Sequence, residues 1–245
     1  MVTLAEKLIM VSKTRVVSGA VEFVSSTPMT ITPQYTNSGV TLQYSLDGTS
    51  WTTITSGATT PNANIIYFRG SATGAKSLYT SNTTTNSWTF SGATNLECNG
   101  KLDRLIQNTL GDDSDILIIS SYCFAYIFNN VTSLIRVYDD FLPATTLASG
   151  CYQSMFYGCT GLTTLPKLST LALQPNCYYR MFYGCTKIKV STALTGIYDT
   201  AYRIPITGTG TTATNALTEM FTATGGTFTG TPEINTTYYT ENTPV

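Results

Sequence analysis

The chain has 245 residues, of which 42% are hydrophobic and 11% aromatic, so it is long enough to bury a core of its own. Only 11% of the residues are charged and the formal net charge is -1, which argues against nucleic-acid binding because that function needs clustered Lys and Arg. The chain contains no histidine, which excludes Ser-His-Asp, Cys-His and histidine-based zinc chemistry.

The first predicted element is a short amphipathic helix over residues 3–17, within a predicted N-terminal segment of residues 1–18. Thr3 and Glu6 have the spacing of a capping box. The apolar stripe of this helix either packs on the chain's own domain or serves as an anchor or oligomerisation surface. Charged residues interrupt the segment, so we do not expect a secretory signal peptide, and no apolar run of the sequence is long enough to span a membrane. The candidate anchor residues are Leu4, Leu8 and Val11.

Residues 19–100 show short alternating strands separated by turn residues. The clearest case is 40–55, where Asp47-Gly48 supplies a tight reversal and Trp51 begins the return strand, so this stretch is predicted to be a hairpin. About six strands of this kind predict a small antiparallel β-sandwich. The apolar face of the first hairpin strand is predicted to contain Val40, Leu42, Tyr44 and Leu46.

The second half of the chain contains an internal repeat. Residues 151–162 (CYQSMFYGCTGL) and 177–188 (CYYRMFYGCTKI) match in register at a spacing of 26 residues. Residues 123–134 (CFAYIFNNVTSL) are a weaker copy, and residues 216–228 (ALTEMFTATGGTF) have the character of a degenerate terminal unit. Units this small cannot bury their own apolar residues, so equivalent positions are expected to stack and form one continuous core. The predicted core ladder contains Met155, Phe156, Met181 and Phe182.

The repeat motif, with LPATTLASG before it at 142–150, resembles the BspA-like leucine-rich repeats, in which an Ala-Phe or Met-Phe pair, a cysteine and a Thr-x-Leu strand recur. The strands before it, with YSLDGTSWTTI and IIYFRG, are similar to the β-domain that often precedes such repeats in proteins of gut Bacteroidetes and their crAss-like phages. The resemblance implies a noncatalytic leucine-rich-repeat solenoid over residues 101–245, with a role in adhesion, surface display or virion fibres. It implies no active-site residues.

Six cysteines invite a metal or disulfide interpretation. Their spacing within a unit lacks the C-x2-C pair of structural zinc, whereas stacking of units would bring cysteines within disulfide range. Buried free thiols are favoured, because Cys fills core positions well. The acidic segment 111–115 lacks the glycine and distal glutamate of a calcium loop and is predicted to be a solvated turn or cap. No metal or other cofactor is predicted. The cysteines are Cys98, Cys123, Cys151, Cys159, Cys177 and Cys185.

Neighbouring carboxylates such as Asp139 and Asp140 do not by themselves provide two acids across a cleft, as glycoside hydrolysis requires, so we predict that the chain is not an enzyme. Tyrosine is the favoured contact residue, because an exposed Tyr offers amphipathic area at low entropic cost. The candidate contact surface consists of Tyr152, Tyr157, Tyr178, Tyr179 and Tyr183.

Together these features predict a mainly β structural protein of a phage virion: a head fibre, a capsid decoration or a tail-associated fibre on the virion surface. Its expected partners are other virion proteins of the capsid or tail, further copies of itself in a homo-oligomer such as a trimer, and a host surface glycan. The alternative is a bacterial cell-surface BspA-like adhesin that binds a glycan or a host protein. A polysaccharide-degrading spike enzyme is a third, less favoured interpretation.

Overall fold

A computed structural model describes residues 17–241 of the chain. The predicted helix over 3–17 and its anchor residues Leu4, Leu8 and Val11 lie outside the described residues, apart from position 17. Within the described range the protein is mainly β, as predicted, with ten strands and two short 3-10 turns at Thr84–Asn86 and Leu102–Leu105. Neither of these turns has the length and apolarity that crossing a bilayer demands.

The front half of the chain, by which we mean the residues before 122, supplies six strands of one seven-stranded sheet, and the seventh strand comes from later in the chain. Six strands follow the order β3-β2-β4-β1-β6-β7, and β5 pairs with the second half of β1. All of these pairs are antiparallel except β6 with β7, which is parallel. The strands are β1 Val21–Thr32, β2 Val40–Ser45, β3 Thr52–Ile54, β4 Ala63–Ala72, β5 Thr89–Ser91, β6 Leu96–Asn99 and β7 Leu134–Val137.

β1 is the central strand because it changes partners along its length. Its first half lies between β4 and β6, and an irregularity between Val24 and Met29 separates this part from the half that pairs with β5. Pro28 lies in that irregularity and has no backbone N–H to offer a neighbouring strand. One long apolar strand can therefore serve two sets of partners and close the front of the core.

The predicted hairpin over 40–55 is confirmed, with Leu42 opposite Ile54 and Tyr44 opposite Thr52. Leu46 is an exception to the predicted apolar face: β2 ends at Ser45, and the Leu46 side chain lies in the turn with 43% of its surface exposed. The strand pairs within 19–100 are antiparallel, as predicted. The sheet does not end at that boundary, however, because the parallel strand β7 from beyond residue 100 joins it.

Four turn-rich segments stack on one another behind the sheet, and we call them coil 1 (122–131), coil 2 (150–159), coil 3 (176–185) and coil 4 (215–224). Backbone N–H groups alternate between two kinds of partner. In coil 2, Met155 N–H donates to Tyr152 O within the coil at 3.3 Å, whereas Phe156 N–H donates to Met181 O of coil 3 at 3.0 Å. The same alternation recurs along coils 1 and 3. Backbone groups are thereby paired without regular strands or helices.

Each coil turns by placing every fourth residue in the left-handed region. Such a conformation costs an ordinary residue roughly 1–2 kcal/mol, so it persists where the hydrogen bonds of the stack impose it. In coils 2 and 3 several of these positions are glycine, which removes the cost. The positions are Tyr122, Tyr126 and Asn130; Gly150, Ser154 and Gly158; Asn176, Arg180 and Gly184; and Asn215, Glu219 and Ala223.

The front half covers the open end of coil 1. Leu78 N–H donates to Cys123 O at 3.1 Å and Trp88 N–H donates to Ile127 O at 2.9 Å, so residues of the front half stand where another coil would stand. At the opposite end, Phe221 N–H of coil 4 donates to Gly230 O at 2.8 Å. One continuous apolar core runs through both halves, across the predicted domain boundary at residue 100.

The coils themselves contain turns rather than strands. Beyond residue 100, the part of the chain that the structure describes has only four strands: β7, then β8 (Val190–Ser191), β9 (Tyr198–Arg203) and β10 (Thr237–Glu241). The last three form a small antiparallel sheet in the order β8-β10-β9. A leucine-rich-repeat solenoid with one strand in each unit is therefore not what these residues form.

Candidate binding site

The interior of the coil stack is a column of phenylalanine rings. Phe156 of coil 2 lies between Phe128 of coil 1, at a centroid distance of 5.6 Å, and Phe182 of coil 3, at 5.4 Å, with interplanar angles of 3° and 4°. Phe182 stacks in turn on Phe221 of coil 4 at 5.8 Å. The predicted burial of Met155, Phe156, Met181 and Phe182 is confirmed, because all four are fully buried.

The six cysteines belong to the same interior. All are free thiols and buried, as predicted. Cys159 Sγ–H donates to Phe128 O and Cys185 Sγ–H donates to Phe156 O, each at 3.0 Å, so these thiols link successive coils. Burial raises the pKa of all six thiols, that of Cys185 to about 12. The cysteines are therefore unreactive core side chains at neutral pH.

Two of the five tyrosines predicted to form a contact surface are in the core. Tyr152 and Tyr178 are each 1% exposed, and their rings stack at 5.9 Å in the column that begins at Phe124 of coil 1. Their assignment to a surface was wrong, because they occupy the same position of successive coils as Phe124. That equivalence was visible in the repeat alignment and is the signal that marks them as core residues.

The other three tyrosines do reach the surface. Tyr157 of coil 2 and Tyr183 of coil 3 are partly exposed and stack with ring centroids 4.9 Å apart and an interplanar angle of 4°. The Arg180 guanidinium lies 4.9 Å from the ring centre of Tyr179 and 5.6 Å from that of Tyr183. Such distances are typical of cation–π contacts, so Arg180 fixes two of the rings.

A polar cleft of about 440 Å³ opens beside these rings, and we call it the amide cleft. Residues of coils 2, 3 and 4 line most of it, and the front half contributes one residue. Asn82 Nδ2–H of the front half donates to Gln153 Oε1 of coil 2 at 2.9 Å. The lining residues are Asn82, Gln153, Asn176, Tyr179, Arg180, Asn215, Thr218 and Glu219.

Opposite charges inside the amide cleft cancel. Arg180 and Glu219 occupy the same position of coils 3 and 4, both in the left-handed conformation, and Arg180 Nε–H donates to the Glu219 carboxylate. This hydrogen bond raises the pKa of Arg180 above its ordinary range. Neither residue was predicted from the sequence, although aligning 176–185 with 215–224 places the two opposite charges side by side.

No family model, no curated protein and no solved structure shows significant similarity to this chain. The resemblance to the BspA-like leucine-rich repeats therefore stays a prediction from the motif. The function has to be argued from the coil stack and its surface.

A second cleft, of about 480 Å³, lies between the connections of the coils and the β8-β10-β9 sheet. It contains both candidate glycosidase carboxylates, Asp139 and Asp140, together with several cations. Lys167 pairs with Asp139 at 2.7 Å and Lys189 pairs with Glu241 at 2.8 Å. Two of its lysines are thus paired with carboxylates of the lining, and Arg136, Lys187 and Arg203 leave the cleft with more cations than carboxylates.

The acidic segment 111–115 is a turn and Asp113, Ser114 and Asp115 are exposed, as predicted, but its carboxylates also bind neighbouring cations. Buried Arg104 contacts carboxylate oxygens of Asp113 and Asp115, each at 3.2 Å, and donates to Ser114 O at 2.8 Å. Lys101 pairs with Asp115 at 2.8 Å. Among residues 17–241 no group of three or more His, Cys, Asp or Glu side chains is arranged to hold a metal ion.

Proposed function

We propose that the chain is a noncatalytic structural protein of a bacteriophage virion, a head fibre or decoration or a tail-associated fibre, which displays its stacked coils for adhesion. The observation that carries this proposal is the backbone ladder between coils, in which Tyr152, Ser154 and Phe156 of coil 2 each donate to coil 3. A stack joined at alternate residues keeps its outward side chains at fixed spacing. Such a surface is suited to binding through many positions at once.

The distribution of residue types supports a display role. The thiols and most of the large aromatic rings of the repeat are buried between the coils. They are therefore not available for contacts at the surface. Tyr157, Tyr179 and Tyr183 are the aromatic side chains of coils 2 and 3 that reach solvent. Tyrosines of this kind provide contact area at low entropic cost.

The virion setting rests on the repeat motif and on the composition. The motif CYQSMFYGCTGL resembles units that occur in phage fibre proteins, and a surface built from Thr, Ser, Asn and Tyr with few charges suits an extended extracellular particle. On this proposal the chain is a homo-oligomer held to capsid or tail proteins through residues 1–18.

Particle fractionation tests the proposal. The tagged full-length chain is expressed in infected host cells, and particles are purified on a density gradient and probed for the tag. We expect the chain to co-sediment with particles and a variant lacking residues 1–16 to be lost from them, although the variant keeps the circular dichroism spectrum of the full chain. Recovery of the full chain only in the envelope fraction of uninfected cells would overturn the virion setting and favour the cell-surface adhesin. A protein that light scattering shows to be monomeric at high concentration would contradict the homo-oligomer.

A further inference from the structure

The amide cleft has the size of a ligand site. Its volume of about 440 Å³ falls within the roughly 300–1,000 Å³ typical of small-molecule sites and has room for one or two sugar rings. The cleft lies on the same side of the stack as Tyr179, so a ligand bound there would also touch the tyrosine surface. A longer chain of sugars could continue along the neighbouring coils.

Its chemistry is that of paired donors and acceptors. Four primary amides, those of Asn82, Gln153, Asn176 and Asn215, line the cleft, and a primary amide has both N–H donors and a carbonyl acceptor. Asn82 and Gln153 already bond to each other, so Asn176 and Asn215 are the amides that the inference assigns to a ligand. Sugar hydroxyls also donate and accept hydrogen bonds. Of two neighbouring hydroxyls, one can therefore accept from the N–H of an amide while the other donates to its carbonyl. An apolar ligand would cover the amides of Asn176 and Asn215 without giving them partners, at a cost of roughly 1–3 kcal/mol for each group that it buries.

The charge of the cleft favours a neutral ligand. Among the described residues 17–241, Arg180 and Glu219 are the only charged ones that line it, and they are bound to each other. A phosphate or an acidic peptide would have to compete with Glu219 for Arg180. The second cleft differs in this respect, because it gathers Arg136, Lys187 and Arg203 in addition to its paired lysines.

The lining residues are held in place before a ligand arrives. Arg180 N–H donates to Thr218 O of coil 4 at 3.0 Å, and Glu219 N–H donates to Thr231 Oγ1 at 2.8 Å. Asn82 is fixed by its bond to Gln153. A site whose backbone and side chains are already ordered loses little conformational entropy on binding.

We infer that the amide cleft binds a neutral oligosaccharide, with the amides of Asn176 and Asn215 on its hydroxyls and the Arg180–Glu219 pair as a neutral floor. This inference rests on the proposed adhesive function and gives it a ligand class.

The test uses the full chain on an array of neutral oligosaccharides of glucose, galactose, mannose and N-acetylhexosamines, beside acidic oligosaccharides. The informative variant is Asn176→Gly with Asn215→Gly. It removes two amides but keeps the left-handed backbone, since Gly150 occupies the same position in coil 2. The matched control is Asn130→Gly, an equal change at a left-handed position that does not line the cleft.

We expect binding to one or more neutral oligosaccharides, a loss of affinity of about tenfold or more in the double variant, and native affinity in the control, with similar melting temperatures for all three. The inference is overturned by binding to acidic oligosaccharides alone, by binding only to a host protein freed of its sugars, by an absence of binding, or by an affinity that the double variant leaves unchanged. Particle fractionation is independent of this readout. A chain that enters particles and binds no neutral oligosaccharide defeats only the ligand assignment, whereas a chain that binds one and never enters particles defeats only the virion setting.

Discussion

Phe156 shows how much of the stack depends on single rings. It is fully buried and has a parallel ring on each side, so its removal opens a cavity and breaks two stacking contacts. Each such contact contributes roughly 0.5–1.5 kcal/mol beyond the burial of area. The neighbouring Tyr157 has one stacking partner, Tyr183, and lies partly in solvent.

Phe156→Ala should lower the free energy of unfolding by about 3–5 kcal/mol. Tyr157→Ala, the next residue along the same coil, should cost only about 1 kcal/mol because it leaves no closed cavity. Urea denaturation of the two variants and the native chain gives both values. Equal small losses for the two variants would show that the phenylalanine column does not support the coils.

Asp103 is a buried carboxyl in the front half and titrates unusually. Burial is the main reason that its pKa rises from 3.8 to about 6, although the N–H of Ile116 at 2.7 Å and the charge of Arg104 both act to lower it. The folded protein therefore holds this proton more tightly than the unfolded chain. The contribution of Asp103 to stability is fully present below about pH 4 and is lost as the pH rises through 6.

Asp103→Asn removes this titration, so the stability of the variant relative to the native chain should increase between pH 4 and 7. Asp113→Asn is the matched control of opposite sign. Hydrogen bonds from Ser18 and from the N–H of Gly19 lower the pKa of the Asp113 carboxyl, so its contribution is present at higher pH and is lost on acidification below about pH 4. Urea midpoints at a series of pH values measure both trends. Parallel curves for Asp103→Asn and the native chain would contradict a raised pKa for Asp103.

Burial was predicted correctly where the same hydrophobic residue recurs in successive repeat units, as at Met155 and Phe156. The prediction failed at Tyr152 and Tyr178, because a tyrosine can lie on either the buried or the exposed side of a coil. Only its position in the stack decides whether it is buried. The prediction also gave no sign of Asp103 and Arg104, whose burial depends on the acidic segment 111–115 folding back over them.

At the scale of the element, a coil is held by neighbours rather than by its own turns. Half of its N–H groups donate within the coil and the other half donate to the next coil, so an isolated coil would leave the second set to water. The left-handed positions that recur every fourth residue orient the N–H groups of this second set toward the carbonyls of the next coil. Register between coils is therefore set by these positions and not by the length of the connections, because successive coils begin at Tyr122, Gly150, Asn176 and Asn215, at unequal intervals.

Removal of residues 151–176, one repeat of 26 residues, should give a folded chain. Gly150 then precedes Cys177, so coil 1 meets the coil 3 sequence in register and Phe182 takes the place of Phe156. A matched deletion of residues 153–180 joins Tyr152 to Met181 inside a coil, so that the left-handed positions Gly150 and Gly184 are no longer separated by a multiple of four residues, and this variant should not fold. Circular dichroism and cooperative urea unfolding distinguish the two, and equal behaviour of both deletions would contradict a register set by the ladder.

Element types were only partly predictable. The alternation of apolar and polar residues predicted the hairpin of β2 and β3. No local sequence feature indicates that β7 pairs with β6, because a parallel pair forms across a long connection. The repeat predicted stacking, yet it could not predict that each unit is a series of turns. Left-handed tyrosine, arginine and glutamate residues have no propensity signature of their own.

At the scale of the whole molecule, the front sheet caps the coil stack. Leu78 and Trp88 donate to coil 1 as a further coil would, and buried Trp88 packs among Phe23 and Phe68 of the sheet. The two halves thus share one core. Loss of the sheet would expose the end of coil 1, and loss of the coils would expose the inner face of the sheet.

The two halves should therefore unfold together. Tryptophan fluorescence reports the front half, and the reaction of thiols with a disulfide reagent in a Cys98→Ala variant reports only the cysteines of coils 1, 2 and 3. Both signals should follow the same urea transition. Thiols that become reactive at a lower urea concentration than the one at which fluorescence changes would show that the coils form a separate unit.

Native-state hydrogen exchange of coil 2 tests the shared ladder most directly. We expect the amides of Met155 and Tyr157, which bond within the coil, and those of Ser154 and Phe156, which bond to coil 3, all to exchange with the free energy of global unfolding. Fast exchange at Ser154 and Phe156, with protection kept at Met155 and Tyr157, would mean that the coils are not joined and would contradict the display platform.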